Sequence, residues 1–401
     1  MTGPDIEETV AHYALVNGRV ILPDRVVHDH AVVVRDGRIL AILDASSVDH
    51  TVPQVDVEGR YISPGLIDIH SHGALGHTFN EPTVEAFSII TGENLSRGVT
   101  GMLATIATAP LPDMIDCLRF TRGWMQGDRP GARILGAHVE GPYFNVEQAG
   151  AQDPNNIRTP DDGTVGGLLE FADTIKIMTF APELDGALDL TRRLVELNIV
   201  AAAGHSSARD SDVEAAMQVG LSHAIHLWSG QSSTIRQGPW RKPGLLEASL
   251  TFDNLTAEII ADNKHLPPTL MKLAYKCLGP DRLSVVSDAT SGAGLAEGAR
   301  FRMGEMEYEV HDGVGMLFDH TAFAGSTTLL NEMILILTQE AGIPLTEAVR
   351  MASLTPARVI GVEHLKGSLE PGKDADLAIF EDAMTVWRTI IGGKWAYFRP
   401  S

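Results

Sequence analysis

The chain has 401 residues, of which 44% are hydrophobic and 21% charged, and its formal net charge at pH 7 is −21. Such proportions are typical of a soluble globular protein, and the length exceeds what one hydrophobic core usually holds, so we expect a large domain and a smaller one. The negative charge argues against a nucleic-acid partner, and no run of about 18 apolar residues is present to span a membrane.

The cysteines and the N-terminal segment favour a cytoplasmic protein. Only Cys117 and Cys277 are present, far apart in helix-like stretches, so we expect two buried free thiols and neither a disulfide framework nor a thiolate metal site. Residues 1–13, MTGPDIEETVAHY, are acidic and lack the apolar core of a secretory signal.

The two ends of the chain share a strand-like style. Residues 14–61 contain β-branched runs interrupted by Asn-Gly and Asp-Gly pairs, which are typical of hairpins. The segments DADLAIF (374–380) and TVWRTIIGGKWAYF (385–398) resume this pattern near the C-terminus. We therefore predict a small, discontinuous β-sandwich domain formed by residues 1–62 and 361–401.

Between these ends, apolar strands alternate with amphipathic helices. The predicted strands are residues 66–70, 100–108, 133–140, 174–183, 199–206, 223–228, 255–262 and 283–290. Eight such units predict an α/β fold, a (β/α)8 TIM-type barrel over residues 63–360. A nucleotide-binding fold has little support, because no G-x-G-x-x-G follows the first strand and no Walker sequence is present.

Histidine and glutamate side chains stand at the ends of several of these strands. His70 and His72 have the two-residue spacing that places both on one side of a strand, and Glu140, His205 and His226 end the third, fifth and sixth strands. Each alone has a plain alternative, namely a surface histidine, a solvated loop acid or a core histidine. Together they predict a catalytic metal centre at the mouth of the barrel, and hence an enzyme.

Asp288 ends the eighth strand. A carboxylate across the barrel from a metal can accept a proton from water and pass it to a leaving group, although an Asp here can also cap the next helix. His138 and His223 lie further inside their strands, where a core or supporting role is favoured.

These motifs resemble the amidohydrolase superfamily and, within it, the N-acetylglucosamine-6-phosphate deacetylase family. The segments that carry the resemblance are PGLIDIHSHG, HVEGPYFN, TFAPE, AGHSSA, HLW, SDAT, FAGS and GSLEPGKDADLAIF, in the family's order over almost the whole chain.

The resemblance implies a divalent metal, zinc or iron, held by Glu140, His205 and His226, with a second ion at His70 and His72. It also implies that water activated by the metal attacks an N-acyl carbonyl while Asp288 takes a proton and returns it to the departing amine.

The resemblance further implies a cytoplasmic homodimer acting on a small N-acetyl amino sugar phosphate. In the family an arginine, here Arg241, reaches the sugar phosphate across the subunit interface, and a histidine, here His265, contacts the same end. Both residue types suit an anion, although each can also be a plain surface group. The full set of implied substrate-binding residues is Gln152, Ser229, Gly230, Arg241, His265 and Ala324.

The chain departs from the family's pattern at three places. Gln152 stands where the family has a substrate-binding histidine, Ser229 replaces an asparagine, and the loop over residues 231–240 is a few residues longer than usual. We expect all three to touch the substrate pocket and none to touch the metal, so the chemistry is better determined than the substrate.

Two alternatives stay open. The chain can deacylate a different N-acyl amino sugar or an N-acyl amino acid, although dipeptidase-like relatives place a carboxylated lysine at the end of the fourth strand and Lys176 lies mid-strand here. It can also be a non-catalytic scaffold of the same fold, a class of protein that typically loses metal ligands.

Overall fold

The computed structural model describes residues 11–303, 306–320 and 322–400. The start of the predicted small domain, residues 1–10, and most of the segment for which we predict no secretory signal lie outside the described residues. Among the described residues, no helix combines the length and the apolar character needed to cross a membrane.

The chain opens with strands that build one sheet. They are β1 (His12–Ile21), β2 (Val26–Arg35), β3 (Arg38–Asp44), β4 (Gln54–Asp56) and β5 (Tyr61–Pro64). The Asp36-Gly37 pair makes the predicted hairpin turn, with both residues at positive φ. Asn17-Gly18 does not, because β1 runs through it with a bulge, and a Cβ on Gly18 would lie only 2.6 Å from the Val57 side chain. Glycine there makes room for packing.

The middle of the chain forms the barrel. Its strands and two short hairpins are β6 (Leu66–Asp68), β7 (Gly73–Ala74), β8 (His77–Thr78), β9 (Val99–Ile106), β10 (Arg133–Glu140), β11 (Ile175–Phe180), β12 (Val200–Ala203), β13 (His223–Ala224), β14 (Ile235–Gln237), β15 (Trp240–Lys242), β16 (Thr256–Ile260) and β17 (Leu283–Val286). Among the described residues, eight of them run parallel in the order β6-β9-β10-β11-β12-β13-β16-β17. Beyond β17, the Asp288 amide donates to the His70 carbonyl at 2.8 Å and joins the last strand end to the first. The predicted barrel is confirmed.

A three-stranded sheet, which we call the flap, follows the last barrel strand and contains β18 (Arg300–Met303), β19 (Met306–His311) and β20 (Val314–Met316). The last strands of the chain return to the first sheet. They are β21 (Leu377–Phe380), β22 (Val386–Ile391) and β23 (Lys394–Phe398). The shared sheet has the order β23-β22-β21-β5-β1-β2-β3, with β4 beside β1. Both chain ends therefore build one small β domain, as predicted, while its exact boundaries stay a prediction.

Helices cover the outside of the barrel. They are α1 (Val84–Ser96), α2 (Leu111–Met125), α3 (Val165–Leu169), α4 (Ala187–Glu196), α5 (Asp210–Met217), α6 (Leu245–Thr251), α7 (Pro268–Leu278), α8 (Leu330–Gln339), α9 (Leu345–Met351) and α10 (Leu354–Val359). The Thr83 hydroxyl accepts from the Ala86 amide at 3.2 Å and caps the start of α1. Cys117 of α2 is buried as predicted, but Cys277 is exposed because it lies on the solvent side of α7.

The buried Lys366 pairs with two aspartates of the C-terminal segment, one of which also contacts the start of the barrel. Lys366, only 7% exposed, pairs with Asp374 and Asp376. Asp376 also accepts the Gly392 amide through its carboxylate at 2.7 Å and the Gly65 amide through its carbonyl at 2.9 Å. Lys366 thus neutralises the aspartate whose backbone carbonyl contacts Gly65, the residue that precedes β6.

We predict that Lys366→Met lowers the free energy of unfolding by about 3–5 kcal/mol, because it leaves the Asp376 carboxylate buried without a cation. Thermal and urea unfolding of the two proteins measure the effect. Arg192→Met, which removes an exposed ion pair with Asp189, is the control and should cost less than about 1 kcal/mol. Equal effects of the two substitutions would contradict the account.

Candidate active site

Four imidazole rings converge on one carboxylate at the C-terminal mouth of the barrel. The Oε1 atom of Glu140 lies 3.1 Å from His205 Nε2, 3.2 Å from His226 Nε2 and 3.6 Å from His70 Nε2. Its Oε2 atom lies 3.2 Å from His72 Nε2. All five side chains are buried. The five residues singled out by their positions at strand ends are therefore brought together.

Backbone carbonyl groups turn two of these rings toward the centre. The Nδ1 atom of His205 donates to the Gln148 carbonyl at 2.8 Å, and that of His226 donates to the Ser229 carbonyl at 3.2 Å. A histidine that donates through Nδ1 keeps Nε2 free as an acceptor or a metal ligand. His205 also has a positive φ of 45°, a conformation that is uncommon outside glycine and concentrated at functional sites.

Glu258, at the middle of β16, orients the His70 ring as the backbone carbonyl groups orient His205 and His226. Its carboxylate accepts from His70 Nδ1 at 2.8 Å, from His223 Nε2 at 3.0 Å and from the His226 amide at 3.3 Å. The residue is fully buried. The strand-end pattern missed it, although an acidic residue in the middle of the apolar run LTAEIIAD, which itself ends at Asp262, was a usable signal. It also explains His223, whose predicted supporting role agrees with this contact.

The charges of the cluster favour a cation. Burial would raise the pKa of Glu140, but hydrogen bonds from His205 and His226 hold that pKa well below its usual range. Burial would also lower the pKa of His72, yet Asp288 and Glu140 raise it to about 9. The Glu140 carboxylate thus remains ionised, and His72 carries a proton at neutral pH. A metal ion bound at this centre would displace that proton.

Both ring nitrogens of His138 are already hydrogen-bonded. Its ring lies 4.5 Å from the His70 ring, but Nδ1 donates to the Ile69 carbonyl at 3.0 Å and Nε2 accepts from the Thr179 hydroxyl at 2.7 Å. Burial, with a smaller contribution from His70, lowers its pKa to about 3, so the ring is neutral. His138 supports His70 by packing, as its position inside β10 predicts.

The remaining donors fit a divalent metal. Two sets place one ligand atom per residue within 4.8 Å of one another: Glu140 with His205 and His226, and Glu140 with His70 and His72. The buried Nε2 atom of His70 has no hydrogen-bond partner among the described residues. Imidazole and carboxylate donors suit zinc or a related transition ion, and the two sets share Glu140.

Asp288 faces the same centre from the opposite wall. Its Oδ1 atom lies 3.3 Å from His72 Nε2 and 3.6 Å from His70 Nε2. The element that follows is strand β18, so Asp288 does not cap a helix. Burial would raise the pKa of this carboxyl, but the hydrogen bond from His72 and the other nearby imidazoles lower it. An ionised carboxylate therefore stands ready to accept a proton.

A cavity of about 380 Å³ opens above these groups. Its lining includes the predicted substrate residues Gln152, Ser229, Gly230 and His265. Ala324 does not line it, because its side chain is buried against the flap. Its neighbours Phe323 and Gly325 do line the cavity. Arg241 does not line it either, since it lies exposed on β15.

Gly230 packs directly against a metal-site histidine. A Cβ at this position would lie 2.8 Å from His205 Nδ1, and the residue has a positive φ of 55°. Both observations require glycine, because no other residue type combines this conformation with such a close approach.

Gln152 contacts the centre itself. Its Nε2 atom donates to Glu140 Oε2 at 2.6 Å, and its Oε1 atom accepts from the Thr108 amide at 3.0 Å. Gln152 lines the cavity, as expected, and in addition contacts Glu140, a proposed metal ligand, which the sequence did not predict. The cause is the loop after β10, which folds back over the strand end and could not be traced from sequence.

We predict that Glu258→Gln weakens binding of Zn²⁺ by about 10–100-fold, because an amide cannot accept from both His70 and His223 as the carboxylate does. Competition with a chromophoric chelator measures the dissociation constant. Glu214→Gln, an exposed change on α5, is the control and should leave it unaltered. Parent-like affinity of Glu258→Gln would rule out its supporting role.

Comparison with known proteins agrees with this geometry. Residues 61–396 match the Amidohydrolase family and residues 12–62 match the NagA composite domain. The chain is 32% identical to an N-acetylglucosamine-6-phosphate deacetylase of Haemophilus influenzae, over 96% of this chain and 99% of the relative. It is 31% identical to an N-acetylgalactosamine-6-phosphate deacetylase of Escherichia coli O157:H7, over 95% and 98%.

Solved structures show the same similarity. The N-acetylglucosamine-6-phosphate deacetylase of Pasteurella multocida superposes with a TM-score of 0.90 at 32% identity, covering 96% of this chain and 99% of that one. The Mycobacterium smegmatis enzyme in complex with N-acetyl-D-glucosamine-6-phosphate gives 0.89 at 27% identity, covering 96% and 100%. The chain therefore belongs to the amidohydrolase family, within its N-acetylglucosamine-6-phosphate deacetylase group.

Proposed function

We propose that this chain hydrolyses the N-acetyl amide of an amino sugar 6-phosphate, with N-acetylglucosamine-6-phosphate as the first candidate, and releases acetate and the free amine. The observation that carries the proposal is the convergence of four imidazoles on Glu140 at the floor of a cavity whose opposite wall holds Asp288. Its relatives, named as deacetylases of 6-phosphorylated N-acetyl amino sugars, support the substrate class.

The centre would hold one or two divalent ions. Glu140, His205 and His226 would form the first site, and His70 and His72 would form a second site that shares Glu140. Zinc suits this donor set best and iron is the second choice. A bound divalent ion would polarise the acyl carbonyl and lower the pKa of water from 15.7 toward about 7.

Asp288 would move the proton between the two bonds that change. As the water oxygen bonds to the acyl carbon, one proton passes to the Asp288 carboxylate. When the carbon–nitrogen bond breaks, Asp288 returns that proton to the sugar nitrogen, which leaves as a neutral amine. The lowered pKa of Asp288 means that the carboxylate is ionised before the first step, and its place beside His72 holds it toward the cavity floor.

His265 would meet the phosphate end of the substrate. Its Nδ1 atom donates to the buried Asp262 carboxylate at 2.7 Å, which leaves Nε2 as the nitrogen available to a ligand, and the residue lines the cavity. Phe323 lies 4.8 Å from the His265 ring between centroids and supports its orientation.

Arg241 would supply the second positive group from another subunit. It lies on an exposed hairpin, directly across the β14–β15 pair from Arg236. Two cations side by side are unfavourable unless an anion lies between them, which fits a phosphate. The exposed Trp240 beside Arg241 is 71% accessible and suits burial in a homodimer.

The free thiols Cys117 and Cys277 favour the cytoplasm as location.

A different amino sugar is the second candidate. Gln152 and Ser229 depart from the family's pattern, and both line the cavity. A curated relative acts, by its name, on N-acetylgalactosamine-6-phosphate, which differs at one hydroxyl group. A non-catalytic scaffold is disfavoured because the complete set of donors is retained.

A panel of N-acetylated amino sugars, each with and without a 6-phosphate, tests the proposal through release of acetate. We expect turnover of at least one 6-phosphorylated member, well above its unphosphorylated counterpart. Zinc-loaded protein that releases acetate from none of them would reject the proposed activity.

We predict that Asp288→Asn lowers kcat by about 10²–10⁴-fold, because an amide cannot accept and return the proton. Metal analysis of the same preparation should show parent-like content. Asp312→Asn, an exposed change in the flap, is the control and should retain the parent rate. Near-parent turnover of Asp288→Asn would remove the proton-transfer role.

We predict that Arg241→Ala lowers kcat/KM for the phosphorylated substrate by about tenfold or more, through the loss of a charge-assisted contact, and leaves an unphosphorylated analogue unaffected. Steady-state kinetics with both substrates measure the difference. Arg192→Ala, an exposed change on α4, is the control. Parallel loss with both substrates would contradict a phosphate contact.

A further inference from the structure

The Gln152 side chain is held at both ends. Its Oε1 atom accepts from the Thr108 amide at 3.0 Å, so its Nε2 atom must be the end that faces Glu140 Oε2 at 2.6 Å. This fixes the orientation of the amide, since an exchanged amide would oppose an N–H to an N–H and an oxygen to a carboxylate. Thr108 also donates through its hydroxyl to the Glu140 carbonyl at 3.1 Å. Gln152, Thr108 and Glu140 are thus each hydrogen-bonded to the other two.

The contact selects how the Glu140 carboxylate is turned. With Oε2 held by Gln152, Oε1 faces His205 and His226, and Oε2 faces His72. Rotation about the last side-chain bond would break a short charge-assisted hydrogen bond, which is stronger than one between neutral groups. His70 Nε2 lies 3.6 Å from Oε1, so Oε1 faces three of the imidazoles while Oε2 faces His72 and Gln152.

The loop that carries Gln152 is itself fastened. The Gln152 amide donates to the Ala149 carbonyl at 2.9 Å, and the buried Tyr308 of the flap donates through its hydroxyl to the Ala151 carbonyl at 2.9 Å. Gln152 therefore stands on a rigid support rather than on a free loop, as a residue that orients a ligand requires.

We propose that Gln152 is a positioning residue for the metal centre: it orients Glu140 so that Oε1 faces His205 and His226 while Oε2 faces His72. The inference rests on the proposed metal site and not on the identity of the sugar. It assigns to Gln152 a role through Glu140 in place of the direct substrate contact that the family resemblance implies.

Binding of Zn²⁺ to metal-free protein, without substrate, tests the proposal. Gln152→Met keeps the length of the side chain but removes the donor, and should weaken Zn²⁺ binding by about 10–100-fold in competition with a chromophoric chelator. Gln152→His restores an N–H donor and should recover most of the loss. Asn156→Ala, a change in the same loop whose side chain bonds Asp153 and not Glu140, should bind as the parent does.

The visible spectrum of the Co²⁺-loaded proteins reports ligand geometry independently of affinity. We expect an altered spectrum for Gln152→Met and a parent-like spectrum for Asn156→Ala. The proposal is overturned if Gln152→Met binds Zn²⁺ like the parent, if Asn156→Ala loses as much affinity, or if the parent binds no metal. Tight metal binding without release of acetate from any sugar would instead reject the proposed activity and leave the role of Gln152 intact.

Discussion

The buried carboxylate of Glu140 is the constraint on which the site depends. A carboxylate removed from water is stable only if donors or cations surround it, and here four imidazoles and one amide do so. Three of the imidazoles are in turn held through Nδ1: His205 and His226 by backbone carbonyl groups, and His70 by the second buried carboxylate, Glu258. Because these three rings are oriented from outside the centre, their inward-facing nitrogens form a preorganised cage for a cation rather than a loose cluster.

The fold supplies this arrangement through parallel strands. All eight barrel strands end at the same mouth of the barrel. Residues that are far apart in the sequence, such as His70 and Asp288, therefore meet there. Loops then add what strands cannot. The loop after β10 brings the Gln148 carbonyl to His205 and the Gln152 amide to Glu140, and the flap fastens that loop through Tyr308. The small β domain lies outside the site and contacts the start of the barrel through the Asp376 carbonyl, which accepts from the Gly65 amide.

Sequence reasoning was strongest where local pattern and position coincide. Apolar runs ending in His or Glu predicted both the barrel and the placement of His70, His72, Glu140, His205, His226 and Asp288 around one centre. It missed Glu258, because a pattern confined to strand ends does not include an acidic residue in the middle of a strand, even though a buried acid there is itself unusual. It did not predict the contact between Gln152 and Glu140, since the path of a long loop depends on tertiary contacts with Thr108 and the flap. The proposed role of Arg241 depends on a second chain, which no local pattern describes.

A titration of metal-free protein with Zn²⁺, in which bound metal and release of acetate from N-acetylglucosamine-6-phosphate are followed together, tests whether the centre around Glu140 holds a metal on which hydrolysis depends. We expect no acetate without metal, and a rate that rises with occupancy and levels off at one or two ions per chain. Acetate release that is independent of added metal, or a fully loaded chain that releases none, would contradict this expectation.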